Sequence, residues 1–356
     1  MNYIILNGVK STAVRGLLIQ SLPPITKPQI RTSVEEIDGR DGDIVTKLGY
    51  SAYDKELTIG LYGDYNVDDA IEYFDSEGDV VFSNEPDKYY KYQIIEQIDF
   101  ERLIRFKTAT VKMHVQPFKY DAVDRYLTAS AQLMEYGDYS TTLNNLTLTA
   151  TDSKITLTGT ASQNTAFYLP INNITPDAGN YTLAVNLSGI AKNCELRLIS
   201  GDTSNSFGGK AVALNDNTAL TLNADDTGTK TYNYLWIFIP DAIKVNFTMT
   251  VTFTNNRFNE ITLRNRGNVI ARPRITIYGS GKNELTLNGI KVLTVNIDED
   301  YIVIDTEEMN AYHGNILKNR QVTGDYSNLA LKIGKNILSW SGTVTKIQIE
   351  NYSRWI

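Results

Sequence analysis

The chain has 356 residues, of which 42% are hydrophobic and 21% charged, and a formal net charge of −7 at pH 7. This balance is typical of globular proteins and excludes a disordered chain, and the excess of acidic residues argues against nucleic-acid binding. The single cysteine, Cys194, excludes an internal disulfide and thiolate zinc clusters, and the two histidines, His114 and His313, are too far apart in sequence to match a metal-ligand spacing.

The composition also limits the class of fold. No apolar run approaches the ~18 residues that a membrane-spanning helix needs. The first 16 residues lack a basic segment followed by a long apolar one, so we expect no secretory signal. The chain has 22 tyrosines and 24 glycines but only 9 prolines. Tyrosine suits half-buried strands and glycine suits tight turns, so the composition predicts a mainly β protein.

Residues 1–117 predict a β domain. Asn7-Gly8 follows the apolar run 3–6 and is a strong hairpin signal. Residues 33–50 predict two short strands around a glycine-rich loop, and residues 57–61 alternate as a strand does. Further strands are predicted over residues 79–83, 89–98 and 103–115.

One helix is predicted, over residues 66–76. Asn66 can cap its first turn, where Asp68 and Asp69 complement the helix dipole, and Gly78 is expected to end it. Four apolar residues share one face at helical spacing: Val67, Ala70, Ile71 and Phe74. The helix is therefore expected to cover the predicted sheet.

The composition changes between residues 137 and 254, which hold 21 threonines and 14 asparagines. Short strands at regular spacing predict a β-sandwich or jelly roll here. Eight are predicted, over residues 146–150, 154–158, 165–169, 180–187, 194–199, 219–222, 232–239 and 245–253.

The segment from residue 255 to the end predicts more strands and no helix of useful length. Asn288-Gly289 and Ser341-Gly342 are predicted hairpin turns. The predicted strands cover residues 274–278, 284–287, 291–296, 301–305 and 346–351. No repeat of fixed period is present, which argues against solenoids and propellers.

The strand over residues 232–239 is apolar on both faces. Alternation places four rings on one face: Tyr232, Tyr234, Trp236 and Phe238. It places Leu235, Ile237 and Ile239 on the other. If the aliphatic face is the core, the rings point outward and form a platform for saccharides, which stack on aromatic faces. Alternatively, Trp236 and Phe238 fill the core and the aliphatic face meets another domain. The adjacent pair Phe167-Tyr168 points to opposite faces and is a weaker candidate.

No catalytic residue, metal or cofactor is predicted, and the chain is expected not to be an enzyme. His114 lies in an alternating strand and His313 in a polar turn, with no Gly-x-Ser-x-Gly nearby, so both are interpreted as structural. The 41 acidic residues permit many carboxylate pairs for glycoside hydrolysis but single out none. Residues 202–209 offer oxygen ligands for calcium, but the low carboxylate density favours a surface loop.

The loop Gly39-Arg40-Asp41-Gly42 has neither the spacing of a phosphate-binding loop nor a following helix. It can be simply a pair of turns. It can also be an adaptable contact loop, because glycine tolerates the positive φ values that arginine and aspartate avoid.

Residues 1–120 resemble the N-terminal domain of siphophage distal tail proteins. The resemblance rests on Leu6-Asn7-Gly8, Gly16, Leu22-Pro23-Pro24, Glu36-Ile37-Asp38-Gly39-Arg40-Asp41-Gly42, the helix, Ser83-Asn84-Glu85-Pro86-Asp87-Lys88-Tyr89-Tyr90 and Gln116-Pro117-Phe118. The end of the chain resembles the galectin-like C-terminal domain of that family. This part rests on Asn265-Arg266-Gly267-Asn268, Pro273, Gly279-Ser280-Gly281, Leu287-Asn288-Gly289, the run 336–342 and Arg354.

The middle segment is an addition relative to short family members. Residues 152–160 and 178–183 resemble carbohydrate-binding jelly-roll modules of phages that infect Gram-positive bacteria. We therefore predict an N-terminal ring-forming domain (1–117) and an inserted carbohydrate-binding-like module (137–254). The galectin-like domain is predicted to be split, with 118–136 on one side of the insertion and 255–356 on the other.

The resemblance implies a structural virion protein at the tail tip or baseplate, made in the host cytoplasm. Family members form a homo-hexamer that joins the tail tube protein to the tail hub or tail-associated lysin and to receptor-binding or baseplate proteins. The loop Gly39, Arg40, Asp41 and Gly42 is then an oligomer contact, and the inserted module contacts host cell-wall polysaccharide. No nucleic-acid or membrane partner is expected.

Two alternatives are open. The chain can be a purely structural ring component whose insertion is a spacer or protein dock, or a cell-wall polysaccharide hydrolase, which the lack of a catalytic constellation disfavours. The galectin-like resemblance does not by itself imply sugar binding by the C-terminal domain, because fold does not determine function.

Overall fold

The computed structural model describes residues 1–102, 106–151, 154–176, 178–226 and 230–356. Most of these residues lie in strands, which confirms the predicted mainly β fold. The strands form four larger sheets and one separate two-stranded hairpin. Three clusters of buried apolar residues lie among them, one in each third of the molecule.

The first sheet is built from the N-terminal third of the chain. The elements are β1 (Ile4–Leu6), β2 (Val9–Lys10), β3 (Leu17–Ser21), β4 (Ile30–Glu35), β5 (Ile44–Tyr50), β6 (Tyr53–Tyr62), α1 (Val67–Phe74), β7 (Glu77–Phe82), β8 (Lys88–Gln93), β9 (Glu101–Arg102) and β10 (Phe106–Asp121). The sheet order is β2-β1-β7-β8-β10-β6-β3, with β9 also pairing β10. Ala70 and Phe74 of α1 are fully buried in the N-terminal apolar cluster, together with residues of this sheet. The start of the predicted strand 103–115 lies outside the described residues.

Two local predictions in this region are confirmed. Asn7 and Gly8 have φ of 48° and 86° and connect Leu6 to Val9 in a two-residue hairpin. Asn66 caps α1, and its side chain accepts a hydrogen bond from the backbone N–H of Asp68 at 3.1 Å.

Two details of the predicted helix are wrong. Ile71 is 46% exposed, so the buried stripe is narrower than predicted. The helix ends at Phe74 with Asp75 as its cap, and Gly78 lies inside β7. Gly78 is needed there because the side chain of Asn7 approaches its backbone, and an added Cβ would lie 2.2 Å from Asn7 Oδ1.

The second element of the N-terminal third is a hairpin of β4 and β5, which pair with each other and with no other described strand. Gly39 and Gly42 adopt φ of 83° and 77° in the loop between them. The prediction of two strands around a glycine-rich loop is therefore confirmed.

The middle segment contributes two sheets to one apolar cluster. After β11 (Tyr126–Ser130) come β12 (Tyr139–Leu143), β13 (Leu146–Thr151), β14 (Lys154–Thr160), β15 (Thr165–Ile174), β16 (Gly179–Ile190), β17 (Cys194–Ser200), β18 (Asp202–Ser206), β19 (Val212–Leu214), β20 (Ala219–Asp226), β21 (Tyr232–Ile239) and β22 (Lys244–Asn255). One sheet has the order β12-β13-β14-β22-β16-β20, and the other β15-β21-β17-β18 with β19 on β17. Every strand predicted for this segment is present. Three further strands, β12, β18 and β19, were not predicted, and β18 lies within the predicted surface loop over residues 202–209. Asp152 and Ser153 of the resemblance motif 152–160 lie outside the described residues.

The last sheet combines residues from both sides of the middle segment. Its strands are β11, β23 (Glu260–Asn265), β24 (Arg274–Leu287), β25 (Ile290–Ile297), β26 (Tyr301–Asp305), β27 (Asn310–His313), β28 (Ile316–Leu317), β29 (Val322–Gly324) and β30 (Gly334–Glu350). β11 pairs with β30, and Leu127 and Ala129 pack against the C-terminal cluster, whereas Met134 and Tyr136 belong to the middle one.

Turn predictions in this sheet have mixed outcomes. Asn288 and Gly289, with φ of 51° and 82°, connect β24 to β25 as predicted. The predicted Ser341-Gly342 turn is wrong, because both residues lie inside β30. Gly342 has φ of 99° and lies against Asn283, and an added Cβ would be 2.5 Å from its Oδ1. The strands predicted at 274–278 and 284–287 are one continuous strand.

The end of the chain returns to the first sheet. The final strand, β31 (Arg354–Trp355), pairs with β10 through Tyr120↔Arg354 and Lys119↔Trp355. Arg354 is buried and its Nη1 donates to Glu307 Oε2 at 2.7 Å. The C-terminal strand thus connects the first and last sheets.

Candidate functional site

The first candidate site is the outer face of the β15-β21-β17 sheet. Leu235, Ile237 and Ile239 are fully buried in the middle cluster, so of the two arrangements left open by the sequence the aliphatic face is the core face. The face opposite to it carries Tyr234, Trp236 and Phe238. The alternative in which Trp236 and Phe238 fill the core is not what the structure shows, because neither belongs to the core cluster.

Tyr232 does not share this face, so its prediction as a face residue is wrong. It is 1% exposed and packs edge-on against Phe207 and Phe253 in the core. Its hydroxyl donates to Asp226 Oδ2 at 2.6 Å, and burial raises the pKa of the phenol. The cause is a register shift, since the pairing of β21 with β15 is irregular between Tyr234 and Tyr232 and alternation does not extend across it.

Tyr168, on the neighbouring strand β15, belongs to the aromatic face. It lies opposite Trp236 on β15, is 43% exposed, and meets Tyr234 edge-on at 6.1 Å between ring centroids. Its neighbour Phe167 is buried. The alternation within residues 165–169 was visible in the sequence, but the pairing of β15 with β21 was not.

The centre of the aromatic face is closely packed. Trp236 is only 8% exposed and lies parallel to Phe238, with 5.5 Å between ring centroids. The Arg197 guanidinium on β17 lies 5.2 Å from the Trp236 ring, a cation–π contact. The indole Nε1 is buried with no hydrogen-bond partner among the described residues. The more accessible rings of this face are therefore Tyr168, which is exposed, and Tyr234 and Phe238, which are half-buried.

The second candidate site is the β4–β5 hairpin. Val34 and Val45 face each other across the two strands and are 54% and 62% exposed, and Leu48 is 61% exposed. The predicted contact loop, Gly39, Arg40, Asp41 and Gly42, is exposed throughout. A Cβ added to either glycine would meet nothing within 4 Å. The hairpin therefore offers apolar side chains, two unpaired strand edges and an open loop.

Both histidines lie within hydrogen-bonding distance of a carboxylate. His114 Nδ1 is 2.8 Å from Asp54 Oδ1, and hydrogen bonds from His114 and Lys112 lower the pKa of Asp54. His313 Nε2 is 2.7 Å from Glu299 Oε2. Cys194 is buried, and burial raises the pKa of its thiol to about 12. Among the described residues, no group of three His, Cys, Asp or Glu side chains could hold a metal ion.

The predicted surface loop over residues 202–209 is described only in part. Phe207–Gly209 forms a short 3-10 turn, and Phe207 is buried in the middle cluster. The side chains of residues 202–204, which include candidate calcium ligands, lie outside the described part. Elsewhere in the described ranges, no helix has the length and apolar character that crossing a membrane requires.

No protein-family model matches the chain, and no curated protein matches it. The crystal structure of the SPP1 Dit protein, described as a paradigm of the hub adsorption apparatus of phages that infect Gram-positive bacteria, is similar at 16% identity with a TM-score of 0.29, over 71% of this chain and 99% of that one. A conserved protein of unknown function from Pseudomonas aeruginosa PAO1 is similar at 10% identity with a TM-score of 0.13, over 65% of this chain and 96% of that one. The structure of infectious bursal disease virus, Gx strain, is similar at 9% identity with a TM-score of 0.19, over 98% of this chain and 64% of that one. None of these similarities places the chain in a family.

Proposed function

We propose that the chain is a structural subunit of a siphophage tail tip, a distal tail protein that forms a six-membered ring between the tail tube and the baseplate. Its inserted middle segment then contacts the host cell-wall saccharide. The proposal combines the resemblance of residues 1–120 and 255–356 to that family with the unpartnered hairpin.

The hairpin is the observation that carries the proposal. A two-stranded hairpin is marginally stable in water unless it packs against something else. Here both outer edges are free of any described strand, and Val34, Val45 and Leu48 are exposed. Natural proteins rarely leave such edges uncovered. A neighbouring copy can cover them in a head-to-tail contact, which closes into a ring when the rotation between subunits permits.

The connection of the middle segment supports its role as an insertion. Ala131 accepts a hydrogen bond from the backbone N–H of Asn255 at 2.8 Å, so the entry and exit of the segment lie side by side. Gln132 and Thr254 form a β-bridge next to them. A segment whose ends meet can be accommodated without disturbing the domain that carries it.

The aromatic face of the middle segment is the proposed saccharide contact. Tyr168 and Tyr234 combine ring surface with hydroxyls that can hydrogen-bond sugar hydroxyls, and Phe238 adds apolar area. Six copies on one ring would hold a polymer by avidity, so each single site can be weak.

Mass photometry and negative-stain electron microscopy of the full chain test the ring. We expect particles of six copies with a central opening. A chain that is monomeric at every concentration would contradict the proposal.

Sedimentation of the full chain with purified host cell walls tests the saccharide contact. We expect Tyr168→Ala combined with Tyr234→Ala to reduce the bound fraction severalfold, while Tyr62→Ala, at a tyrosine of the first sheet that is 60% exposed, leaves it unchanged. A ring that does not bind cell walls would instead indicate that the middle segment is a spacer or a protein dock.

A further inference from the structure

A cleft of about 1110 Å³ opens where the base of the hairpin, the first sheet and the C-terminal sheet meet. We call it the junction cleft. Its cationic side chains come from all three parts and are Arg31, Lys91, Arg272, Arg274 and Arg354. Apolar surface is supplied by Leu48, Pro117, Phe118 and Met309. Such a mixture of charge and apolar area is typical of a protein-binding surface rather than of a small-molecule pocket.

The junction cleft is positively charged in an acidic protein. Its five cations exceed its three acids, Asp305, Glu307 and Glu308, by two, while the chain as a whole carries −7. Arg354 pairs with Glu307 at 2.7 Å. The four other cations form no ion pair with any acid in the described part of the chain.

The acids of the cleft already have partners in the same chain. Asp305 Oδ1 accepts hydrogen bonds from the backbone N–H groups of Glu307 and Glu308, both at 3.0 Å. Glu308 accepts one from the hydroxyl of Tyr312. The side chains of Arg31, Lys91 and Arg274 are exposed and available to an incoming anionic group.

The tip of the hairpin, residues 35–43, has the complementary charge. It holds one cation, Arg40, and five exposed acids: Glu35, Glu36, Asp38, Asp41 and Asp43. Ile37 within the tip is 48% exposed, and Val34 next to it is 54% exposed. The tip thus presents four net negative charges together with apolar side chains, as the cleft presents positive charges around Leu48 and Phe118.

We propose that the hairpin tip of one copy occupies the junction cleft of a second copy. The tip cannot reach the cleft of its own chain, because the cleft lies at the base of the same hairpin. Arg31, which lines the cleft, and Glu35, where the tip begins, are four residues apart on β4, about 13 Å along an extended strand, and the loop lies further out. Tip and cleft are different surfaces, so the contact is heterologous, as a ring requires. This contact rests on the proposed ring, and it makes the junction cleft the surface that receives the hairpin tip of the neighbouring copy.

Charge reversal tests the contact in the full chain. Asp41→Lys with Asp43→Lys reverses the tip, and Lys91→Glu with Arg274→Glu reverses the cleft. We expect either pair to raise the concentration needed for assembly by roughly tenfold or more, because facing like charges repel. All four changes in one chain should restore assembly. Lys210→Glu with Lys244→Glu, at exposed lysines of the middle segment, makes the same charge change as the cleft pair and should leave assembly unaltered.

Disulfide trapping provides a second test. Cys194 is the only native cysteine and is buried, so introduced thiols dominate the oxidation chemistry. A chain carrying both Asp41→Cys and Arg274→Cys should give a ladder of covalent oligomers on a non-reducing denaturing gel, whereas either change alone should give dimers at most. A wild-type ring that yields no ladder and tolerates both charge reversals would overturn the inference and leave the ring intact. A wild-type chain that never assembles would overturn both.

Discussion

The aromatic strand β21 and the hairpin both carry apolar side chains away from a core, but only one of them covers those side chains itself. On β21, Trp236 stacks against Phe238, lies opposite Tyr168 and is 8% exposed. On the hairpin, Val34 and Val45 meet each other and are each more than half exposed. An outward row of rings is therefore weak evidence for a ligand, whereas a hairpin without a core of its own is stronger evidence for a partner.

The largest expected effect on stability comes from removing a tyrosine ring on the core face of β21, compared with removing one on its outer face. Tyr232→Ala deletes a buried ring and should lower the free energy of unfolding by about 3–5 kcal/mol. Tyr234→Ala, the same substitution two residues further along the strand at a half-buried ring, should lower it by about 1 kcal/mol. Urea denaturation of the full chain, followed by circular dichroism, measures both values. Equal losses would mean that the two rings are buried alike and would contradict the corrected register.

The contrast between these two tyrosines also shows what sequence can predict. The Asn7-Gly8 and Asn288-Gly289 turns were predictable because their conformation depends on the two residues themselves. Tyr232 was misplaced because the irregular pairing that moves it involves residues about 60 positions earlier in the chain. Tyr168 was not predicted to lie on the aromatic face for the same reason: the pairing of β15 with β21 cannot be seen in the sequence.

The failed Ser341-Gly342 turn has a similar cause. Its local sequence resembles a turn, but β30 is long enough to pair with β24 on both sides of Gly342. The positive φ of Gly342 serves the close approach of Asn283 instead of a chain reversal. The sequence also could not predict that the hairpin pairs with no other described strand, because alternation within β4 and β5 does not reveal which strands lie beside them.

A buried lysine at the segment that leads into the hairpin predicts a pH-dependent change in folding stability, of intermediate size among these tests. Lys55 is 3% exposed and its Nζ donates to Pro24 O at 2.8 Å, on the segment that leads from β3 to β4. Burial lowers the pKa of Lys55 to about 8, and the nearby positive charge of Lys119 acts in the same direction while Glu85 opposes it.

Because the pKa of Lys55 is lower in the folded chain than in the unfolded chain, folding stability should increase as pH rises through this range. Below pH 8 the folded chain must keep a charged ammonium buried, and the unfolded chain does not. This penalty falls as pH rises from about 8 towards the unfolded pKa of about 10.4. We expect wild-type stability to increase by about 2 kcal/mol between pH 8 and 10 relative to Lys55→Met, with both measured by urea denaturation. Parallel pH profiles for the two proteins would show that Lys55 titrates normally.

The hairpin itself should give the smallest effect on folding and still abolish assembly. Val34→Asp combined with Leu48→Asp changes two exposed positions that belong to no core cluster and do not face each other, so the free energy of unfolding of the monomer should change by no more than about 0.5 kcal/mol. Assembly should be lost, because a carboxylate buried in an intersubunit contact without a partner is costly. Leu143→Asp with Ile190→Asp is the matched control, since both residues are 45% exposed in the middle segment. Mass photometry and urea denaturation on the same samples separate the two readouts: loss of the ring in the control, or a large loss of folding stability in the hairpin variant, would mean that the hairpin is not a surface reserved for a neighbouring copy.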